Sequence, residues 1–291
     1  MKQYKNSEEL LNYIIAKGVT VTNKEYALDK IKKYSYYSIV NTYKDVFKNS
    51  DNNYKENVTF EEIYSLYEFD KNIRSIFLTY ILEIETVIKS LLAELLSSKY
   101  GINNYLLPSN FDTNINPKII QDNINKINEE INKQNGKHEA ITHYINEYGF
   151  IPPFVLIKVL TWGELSRLYS MLKQTDRQAI SKEFKVPDNF LKQVMKNITM
   201  IRNICAHNDR MFSFHSKFLI TFKIIECNYK NIDKSTNVYM IMKSIQRLLD
   251  KEKSDEFERL INLEIKKLNN NIKSIDINLI LYLMGFFNEY N

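Results

Sequence analysis

One stretch in the first third of the chain constrains the fold more than any other. Between residues 73 and 95 apolar side chains recur at steps of three and four, the period of an α-helix with one buried face. The apolar positions are Ile73, Ile76, Phe77, Tyr80, Ile81, Ile84, Val87, Ile88, Leu91, Leu92 and Leu95. The spacing predicts a long amphipathic helix over residues 70–99 that ends at Gly101. Membrane spans rarely contain charged residues, and this stretch contains Glu83, Glu85, Lys89 and Glu94.

The same helical period recurs along the chain, and no convincing strand alternation or internal repeat accompanies it. We therefore predict an all-α protein. Thr59 and Glu62 have the spacing of a capping box before the long helix. Further helices are predicted over residues 7–16 (capped by Ser7), 23–34, 119–134, 153–172 (bent at Gly163), 175–184, 187–207 and 212–226, with two more in the last 60 residues.

Composition agrees with this class and indicates a compartment. Six Gly and five Pro in 291 residues are few for a β protein with many tight turns. Cys205 and Cys227 are too few for a disulfide framework. The N-terminus lacks an apolar signal-peptide core, and no run approaches the ~18 apolar residues of a membrane span. We expect a soluble cytoplasmic protein with no membrane partner.

The helices divide into three predicted parts: an N-terminal helical segment (1–58), a helical core (59–223) with an Asn-rich insertion near 103–137, and a C-terminal helical extension (224–291). The N-terminal segment contains an aromatic patch. Its members are Tyr34, Tyr36, Tyr37 and Tyr43. Their helical spacing favours packing, and base stacking is the alternative.

Positive charge is concentrated in one part of the sequence. The formal net charge is +5, yet residues 151–223 contain twelve Lys and Arg against five Asp and Glu, a net +7. The rest of the chain therefore carries a net −2. Such a segment suits a polyanionic partner, although a solvated helical surface has the same composition.

The basic segment contains the stretch MIRNICAHNDRMF, residues 200–212. Asp188 or Asn189 is expected to cap a helix that ends near His207. Its predicted buried stripe is Leu191, Val194, Met195, Ile198, Ile201 and Cys205. Asn203 and His207 are four residues apart and share a face, with Arg202 one step round the helix. The helix thus presents a cation, an amide and an imidazole together.

Such a set can cleave RNA without a metal. The ribose 2′-OH attacks the adjacent phosphate, and the products are a 2′,3′-cyclic phosphate and a free 5′-OH. Histidine can act as acid or base near neutral pH, and arginine suits bidentate phosphate contact. Because the motif offers one His, two copies facing each other would supply both proton-transfer groups.

Other interpretations of the motif remain open. A helix end often carries polar groups that are purely structural. A zinc site at Cys205, His207 and His215 would lack a fourth ligand and the usual paired spacing. We therefore predict neither a metal nor another cofactor.

Several separated segments resemble the abortive-infection family of bacterial phage-resistance proteins (the AbiD/AbiF-like group), part of the HEPN superfamily. They are ALDKIKKYSYYSIVNTYKDVF (27–47), TFEEIYSLYEFDKNIRSIFL (59–78), EIETVIKSLLAELLSSKYG (83–101), PPFVLIKVLTWGELSRLY (152–169) and IRNICAHNDRMF (201–212). The resemblance covers roughly residues 8–215. It implies a HEPN-like helical bundle, dimerisation across the motif helix and metal-independent endoribonuclease activity in a toxin-like role. To this bundle we add the predicted N- and C-terminal helices, and we expect a homodimer or a higher homo-oligomer. Arg202, Asn203 and His207 match the family's catalytic pattern.

The resemblance also assigns supporting roles and shows departures. Glu85 and Arg74 match recurrent family positions, where we expect them to brace the bundle, and Asp209 is expected to support the site. Asn208 stands where many members have a second His. Lys89 and Glu94 occupy a segment where many carry Arg, sometimes followed by His, so no auxiliary catalytic group is expected there.

The resemblance raises a small non-coding RNA as regulator, and the charge distribution is compatible with one. Lys192, Lys196 and Arg210 are the residues that we predict to bind RNA. The main alternative is a HEPN module that binds RNA or a partner without cleaving it. Non-catalytic members usually lose the Arg or the His, and both are present here. A purely structural helical scaffold would leave the basic segment unexplained.

Overall fold

The computed structural model describes residues 4–220 and 236–286, and it confirms the all-α class. Within those residues twelve α-helices follow one another: α1 (Ser7–Ala16), α2 (Lys24–Tyr34), α3 (Phe60–Tyr100), α4 (Pro117–Gln134), α5 (Glu139–Tyr148), α6 (Pro153–Val159), α7 (Trp162–Met171), α8 (Gln174–Glu183), α9 (Asp188–His207), α10 (Val238–Leu248), α11 (Lys251–Asn271) and α12 (Ile277–Met284). Short π- and 3₁₀-helices occupy Tyr37–Asn41, Lys44–Phe47 and Pro108–Asn110. Two-residue strands β1 (His215–Ser216) and β2 (Thr236–Asn237) pair antiparallel.

The central element is α3, 41 residues long. The predicted capping box is confirmed, since Thr59 and Glu62 exchange hydrogen bonds at its start, and Gly101 ends it with φ of 78°. The helix begins ten residues earlier than predicted. The apolar pattern is diluted near Asp70 by charged neighbours, but Asp70 itself is buried in the same face as the apolar side chains.

The other helices bury α3 along its length. α6, α8 and α9 pack on it from the middle of the chain, and α10 and α11 pack on it from the predicted C-terminal extension. Phe257 of α11 lies edge-on to Phe77, with ring centroids 5.2 Å apart, and contacts Tyr80 at 4.8 Å. Aromatic contacts of this kind are favourable beyond the apolar area that they bury.

The first helix has the predicted bounds but a different cap. Asn6 is the N-cap: its side chain accepts a hydrogen bond from the Glu9 N–H, and the Glu9 carboxylate accepts one from the Asn6 N–H. Ser7 is the first helical residue, so its predicted capping role is wrong. Asn and Ser are similarly favourable N-caps, and the reciprocal bond to Glu9 selects Asn6.

The predicted helix 153–172 is two helices, and the break lies at Leu160–Thr161 rather than at Gly163. Thr161 forms a new capping box with Glu164, which starts α7. Gly163 lies inside α7, where an added Cβ would be 3.4 Å from the Thr199 side chain on α9. A Cβ at this position would thus make ordinary van der Waals contact with α9, and Gly163 does not bend the chain.

The predicted helix 212–226 is wrong over residues 212–220, which contain turns and β1; residues 221–226 lie outside the described part. Long-range hydrogen bonds oppose a helix here. Thr236 Oγ1 donates to the Phe218 carbonyl and accepts from the Ile220 N–H, and Asn197 Nδ2 also donates to the Phe218 carbonyl.

Near the C-terminus the structure has three helices, α10 to α12, where two were predicted. Short breaks at Leu249–Asp250 and over residues 272–276 separate them. No helix in the described residues is long and apolar enough to cross a membrane.

Glu62 joins the start of α3 to the chain after α11, which makes its charge a test of this packing. Its carboxylate accepts hydrogen bonds from the backbone N–H groups of Thr59, Lys273 and Ser274. Burial raises the pKa of Glu62, but these bonds outweigh burial and leave the pKa below its ordinary value. The stabilisation is therefore present above the unfolded-state pKa and is lost as pH falls through the lower folded pKa.

We expect Glu62→Gln to lower the free energy of unfolding by about 1.5–3 kcal/mol at pH 7, because hydrogen bonds to a charged acceptor are replaced. Urea unfolding at pH 7 and below pH 4 measures the effect, and the difference from wild type should shrink in acid. The control is Glu129→Gln on the exposed face of α4. An equal loss at both pH values would contradict the assignment.

Candidate active site

The motif helix ends where the sequence predicts. α9 finishes at His207 because Asn208 adopts the left-handed conformation, with φ 57° and ψ 31°, and its N–H bonds to the Ile204 carbonyl. Asn is among the few residues other than Gly that tolerate this conformation. The predicted buried stripe is confirmed for all six members: Leu191, Val194, Met195, Ile198, Ile201 and Cys205.

The start of α9 differs from the prediction. Its N-cap is Pro187, so neither Asp188 nor Asn189 caps it. Asp188 is the first helical residue, and its carboxylate accepts a hydrogen bond from Arg177 Nε at 3.1 Å. Because the Asp188 carboxylate binds Arg177 on α8, it does not cap α9.

The structure brings Arg202, Asn203 and His207 together on the last two turns of α9. Asn203 and His207 are exposed, and neither side chain forms a hydrogen bond or ion pair within the described residues. Arg202 is partly buried between this face and α3. An amide and an imidazole are therefore open to a ligand beside a guanidinium.

Arg202 is held by a carboxylate on α3. Its Nε lies 3.4 Å from Glu85 Oε2, a distance of ion pairing, although neither atom meets hydrogen-bond geometry. The other carboxylate oxygen, Glu85 Oε1, lies 2.8 Å from Lys89 Nζ. Glu85 is buried, with 8% of its side chain exposed. One buried carboxylate thus serves two cations, and within the described chain the two terminal guanidinium nitrogens of Arg202 meet no acceptor.

The segment after the motif is fixed by Asp70, which is completely buried. Asp70 accepts hydrogen bonds from the N–H groups of Met211 (3.0 Å) and Phe212 (2.7 Å) and from the Tyr43 hydroxyl (2.7 Å). Arg74 Nη1, 2.5 Å from Asp70 Oδ2, completes a buried ion pair. Burial raises the pKa of Asp70, and Arg74, Tyr43 and the two amides oppose that rise. We call Tyr43, Asp70 and Arg74 the buried triad.

The predicted supporting residue Asp209 and the predicted RNA-binding residue Arg210 lie next to this triad. Arg74 donates to the Asp209 carbonyl at 3.1 Å, while the side chain of Asp209 is exposed. Arg210 donates to the Thr42 carbonyl at 2.8 Å, lies 3.7 Å from Asp45 and packs over the Phe212 ring. These contacts orient Arg210 toward the N-terminal segment, and its predicted contact with RNA stays a prediction.

The two predicted RNA-binding lysines lie on the same helical stripe as the motif. Lys192, Lys196, Asn203 and His207 are separated by four, seven and four residues, so they line one face of α9. The Lys196 amine stacks on the Phe218 ring at 3.6 Å, and Lys192 has no polar partner within the described part. A positive stripe thus leads toward the exposed imidazole.

Cys205 belongs to the core and not to the exposed face. Burial raises the pKa of its thiol to about 12, so it remains protonated and unreactive at neutral pH. The zinc alternative finds no support where the chain is described, because no three His, Cys, Asp or Glu side chains there converge as metal ligands.

A family model described as "Abi-like protein" matches residues 29–213, well over half of the chain. The chain belongs to the Abi-like protein family. The matched region includes α3, the buried triad and the whole of α9 with its motif. Membership indicates a function in abortive infection, a response of bacteria to phage. No curated protein and no solved structure matches the chain.

Two contacts of this Abi-like protein were missed by sequence reasoning. The first is Asp70 with Tyr43, and the available signal was an acidic residue in the apolar face of a long helix with Arg74 four residues later. The second is the pairing of Glu85 with Arg202. Glu85 and Arg202 are both predicted site residues, but they lie 117 positions apart in the sequence. Helical periodicity cannot predict a contact over that distance.

The buried triad gives a stability prediction. Asp70→Asn keeps the shape of the side chain but leaves Arg74 buried without its counter-charge, so we expect a loss of about 3–5 kcal/mol in the free energy of unfolding. The matched control is Asp255→Asn, whose exposed pairing with Lys251 should contribute less than about 1 kcal/mol. Urea unfolding compares the two variants. Hydrogen exchange should also speed up at the amides of Met211 and Phe212; equal losses in both variants would contradict the central role of Asp70.

Proposed function

We propose that the protein is a metal-independent endoribonuclease of the HEPN type that acts in abortive infection. The observation that carries the proposal is the exposed cluster on the last turns of α9. Arg202 is anchored at its Nε edge by Glu85, while Asn203 and His207 are open beside it. A guanidinium fixed at one edge retains two parallel donors for phosphate oxygens.

The cluster supports a specific reaction. The 2′-oxygen of a ribose bonds to the adjacent phosphorus while the bond from phosphorus to the 5′-oxygen breaks. A neutral His207 accepts the proton of the 2′-hydroxyl, and a protonated His207 of a second copy delivers one to the departing 5′-oxygen. The terminal nitrogens of Arg202 stabilise the phosphorane charge. Asn203 orients the phosphate or the imidazole.

A second copy is part of the proposal because each chain offers one histidine in the motif. The exposed face of α3 beside Glu85 supports a homodimer. Its outward residues are neutral and spaced at helical intervals: Ser75, Thr79, Leu82 and Thr86. Three of these have hydroxyls bonded to carbonyls of their own helix, and Leu82 is 45% exposed. Such a face can pack against another helix without burying charge.

We expect purified wild-type protein to cleave labelled single-stranded RNA in EDTA and to leave a 2′,3′-cyclic phosphate. His207→Ala and Arg202→Ala should each reduce the cleavage rate about 100-fold or more, since each removes a proton-transfer or charge-stabilising group. Expression of either variant should also lose toxicity.

Two surface variants are matched controls: His143→Ala on α5 and Arg259→Ala on α11 should cleave like wild type. A 2′-deoxy sugar at the cut should block the reaction. RNA binding without any cleavage would favour the alternative of a non-catalytic RNA-binding module regulated by a small RNA. A strict requirement for Mg²⁺ would overturn the proposed mechanism.

The proposed homodimer is tested by placing a charged residue on the neutral face of α3. Leu82→Glu should shift the protein to a monomer in sedimentation experiments and lower cleavage in parallel, because a carboxylate would be buried without a partner. Leu263→Glu, at a similarly exposed leucine of α11, is the control and should change neither property. A wild-type protein that is monomeric and fully active would contradict pairing.

A further inference from the structure

A second basic region lies in the N-terminal segment, outside the motif. It is a cleft of about 1090 Å³ between α1, the π-helix Tyr37–Asn41 and the loop 48–54. Small-molecule pockets span roughly 300–1,000 Å³, so this cleft has room for more than one nucleotide-sized group. All its lining residues lie in the described part of the chain, and none of them is acidic.

The positive charge of the cleft is not neutralised by ion pairs. Four lysines line it, and none forms a salt bridge within residues 4–220 and 236–286: Lys5, Lys17, Lys44 and Lys48. Two of them bond instead to neutral amides, since Lys44 donates to Asn41 at 2.8 Å and Lys48 donates to Asn52 at 2.7 Å. Four lysines without carboxylate partners around one concavity create a site for a polyanion.

Aromatic rings alternate with these lysines. Tyr13 is 44% exposed and Tyr37 is 73% exposed, although both line the cleft. The Lys5 amine lies 4.6 Å from the centroid of Tyr13, and the Lys48 amine lies 5.3 Å from that of Tyr54. Exposed aromatic faces beside unpaired cations are what unpaired nucleotides require, because bases stack while phosphates are neutralised.

One residue at the start of the cleft wall has a strained backbone conformation. Ser35, which lines the cleft, has φ of 62° and ψ of 143°, a conformation that is costly for a residue with a Cβ. The π-helix that follows is itself a rare element, and such elements occur often at functional sites. Tyr37 and Asn41 are its first and last residues.

The same wall is connected to the motif. Arg210 bonds to the Thr42 carbonyl, and the Thr42 hydroxyl bonds to the Tyr37 carbonyl at 3.0 Å. The next residue, Tyr43, bonds to Asp70. A ligand in the cleft therefore contacts the segment 37–43, and the same segment bonds to Arg210 in the chain after His207.

We infer that this cleft binds a short run of unpaired RNA nucleotides. The bases stack on Tyr13 and Tyr37, and the backbone phosphates lie against Lys17, Lys44 and Lys48. Amides of Asn41 and Asn53 at the cleft surface can donate to and accept from base edges. The site binds RNA whether or not α9 cleaves it, so it stands apart from the proposed catalysis.

The test is fluorescence anisotropy with a labelled 12-nucleotide oligouridine and full-length His207→Ala protein, which keeps the oligonucleotide intact and leaves the cleft unchanged. Tyr37→Ala should weaken binding about tenfold, because loss of one stacking platform has that order of effect. Tyr148→Ala on α5 removes a comparably exposed ring elsewhere and should stay within twofold of the parent. Circular dichroism checks that both variants remain helical.

The double variant Lys44→Ala, Lys48→Ala tests whether the cleft lysines contact the phosphates of the bound RNA. Loss of two phosphate contacts should flatten the slope of log K against log salt by about 1.4, given about 0.7 per contact on a single strand. Lys126→Ala with Lys133→Ala on α4 removes the same charge and should leave the slope unchanged.

Three results would overturn the inference: binding by Tyr37→Ala as tight as by its control, equal affinity for an RNA duplex, or equal competition by polyglutamate. If Tyr37→Ala bound RNA as tightly as its control while Lys192→Ala and Lys196→Ala weakened binding, RNA would bind only to the stripe on α9. The proposed cleavage would still stand, because it is tested separately by the cleavage rate of protein that retains His207.

Discussion

The carboxylate of Asp70 is the constraint on which the rest of the structure depends. It lies on the buried face of α3, where an unpaired charge would be prohibitively unfavourable. Four donors meet it: the Arg74 guanidinium, the Tyr43 hydroxyl and the amides of Met211 and Phe212. They come from three parts of the sequence. The folded state therefore satisfies this charge only when the N-terminal segment, α3 and the chain after the motif are assembled together.

This arrangement explains how contacts within the chain hold the end of α9 in place. His207 is the last helical residue, and the left-handed Asn208 turns the chain toward Asp70. Because Met211 and Phe212 are fixed by that carboxylate, the imidazole sits at the end of a helix anchored on both sides. The exposed groups of the motif need no contacts of their own for the loop to be ordered. They remain exposed, as the proposed cleavage requires, on a helix that is rigidly held.

Sequence reasoning succeeded where structure is decided locally. The helical period predicted the main part of α3 and the buried stripe of α9. The spacing of Thr59 and Glu62 predicted their capping box, because such a box involves only four consecutive residues, although the long helix was predicted to begin ten residues later. It failed where hydrogen bonds between residues distant in sequence determine the backbone conformation. Residues 212–220 carry helical spacing, yet their backbone bonds to Asp70, Asn197 and Thr236. The spacing on α9 predicted that the motif residues lie together, and their role stays a prediction. The contact of Arg202 with Glu85 depends on the packing of α9 against α3 and could not be predicted from spacing.

That partner explains why arginine suits position 202 better than lysine. A guanidinium has several donor edges in one plane, so its Nε can face Glu85 while its terminal nitrogens face another anion. A lysine ammonium is a point charge, so at position 202 it would pair with the Glu85 carboxylate and leave no donor for a second anion. Lys89 already pairs with the other oxygen of Glu85. Arg202, Lys89 and Glu85 together therefore carry a net positive charge. In the proposed cleavage, a phosphate at Arg202 therefore meets an oriented donor pair whose charge is only partly neutralised, as stabilisation of a phosphorane requires.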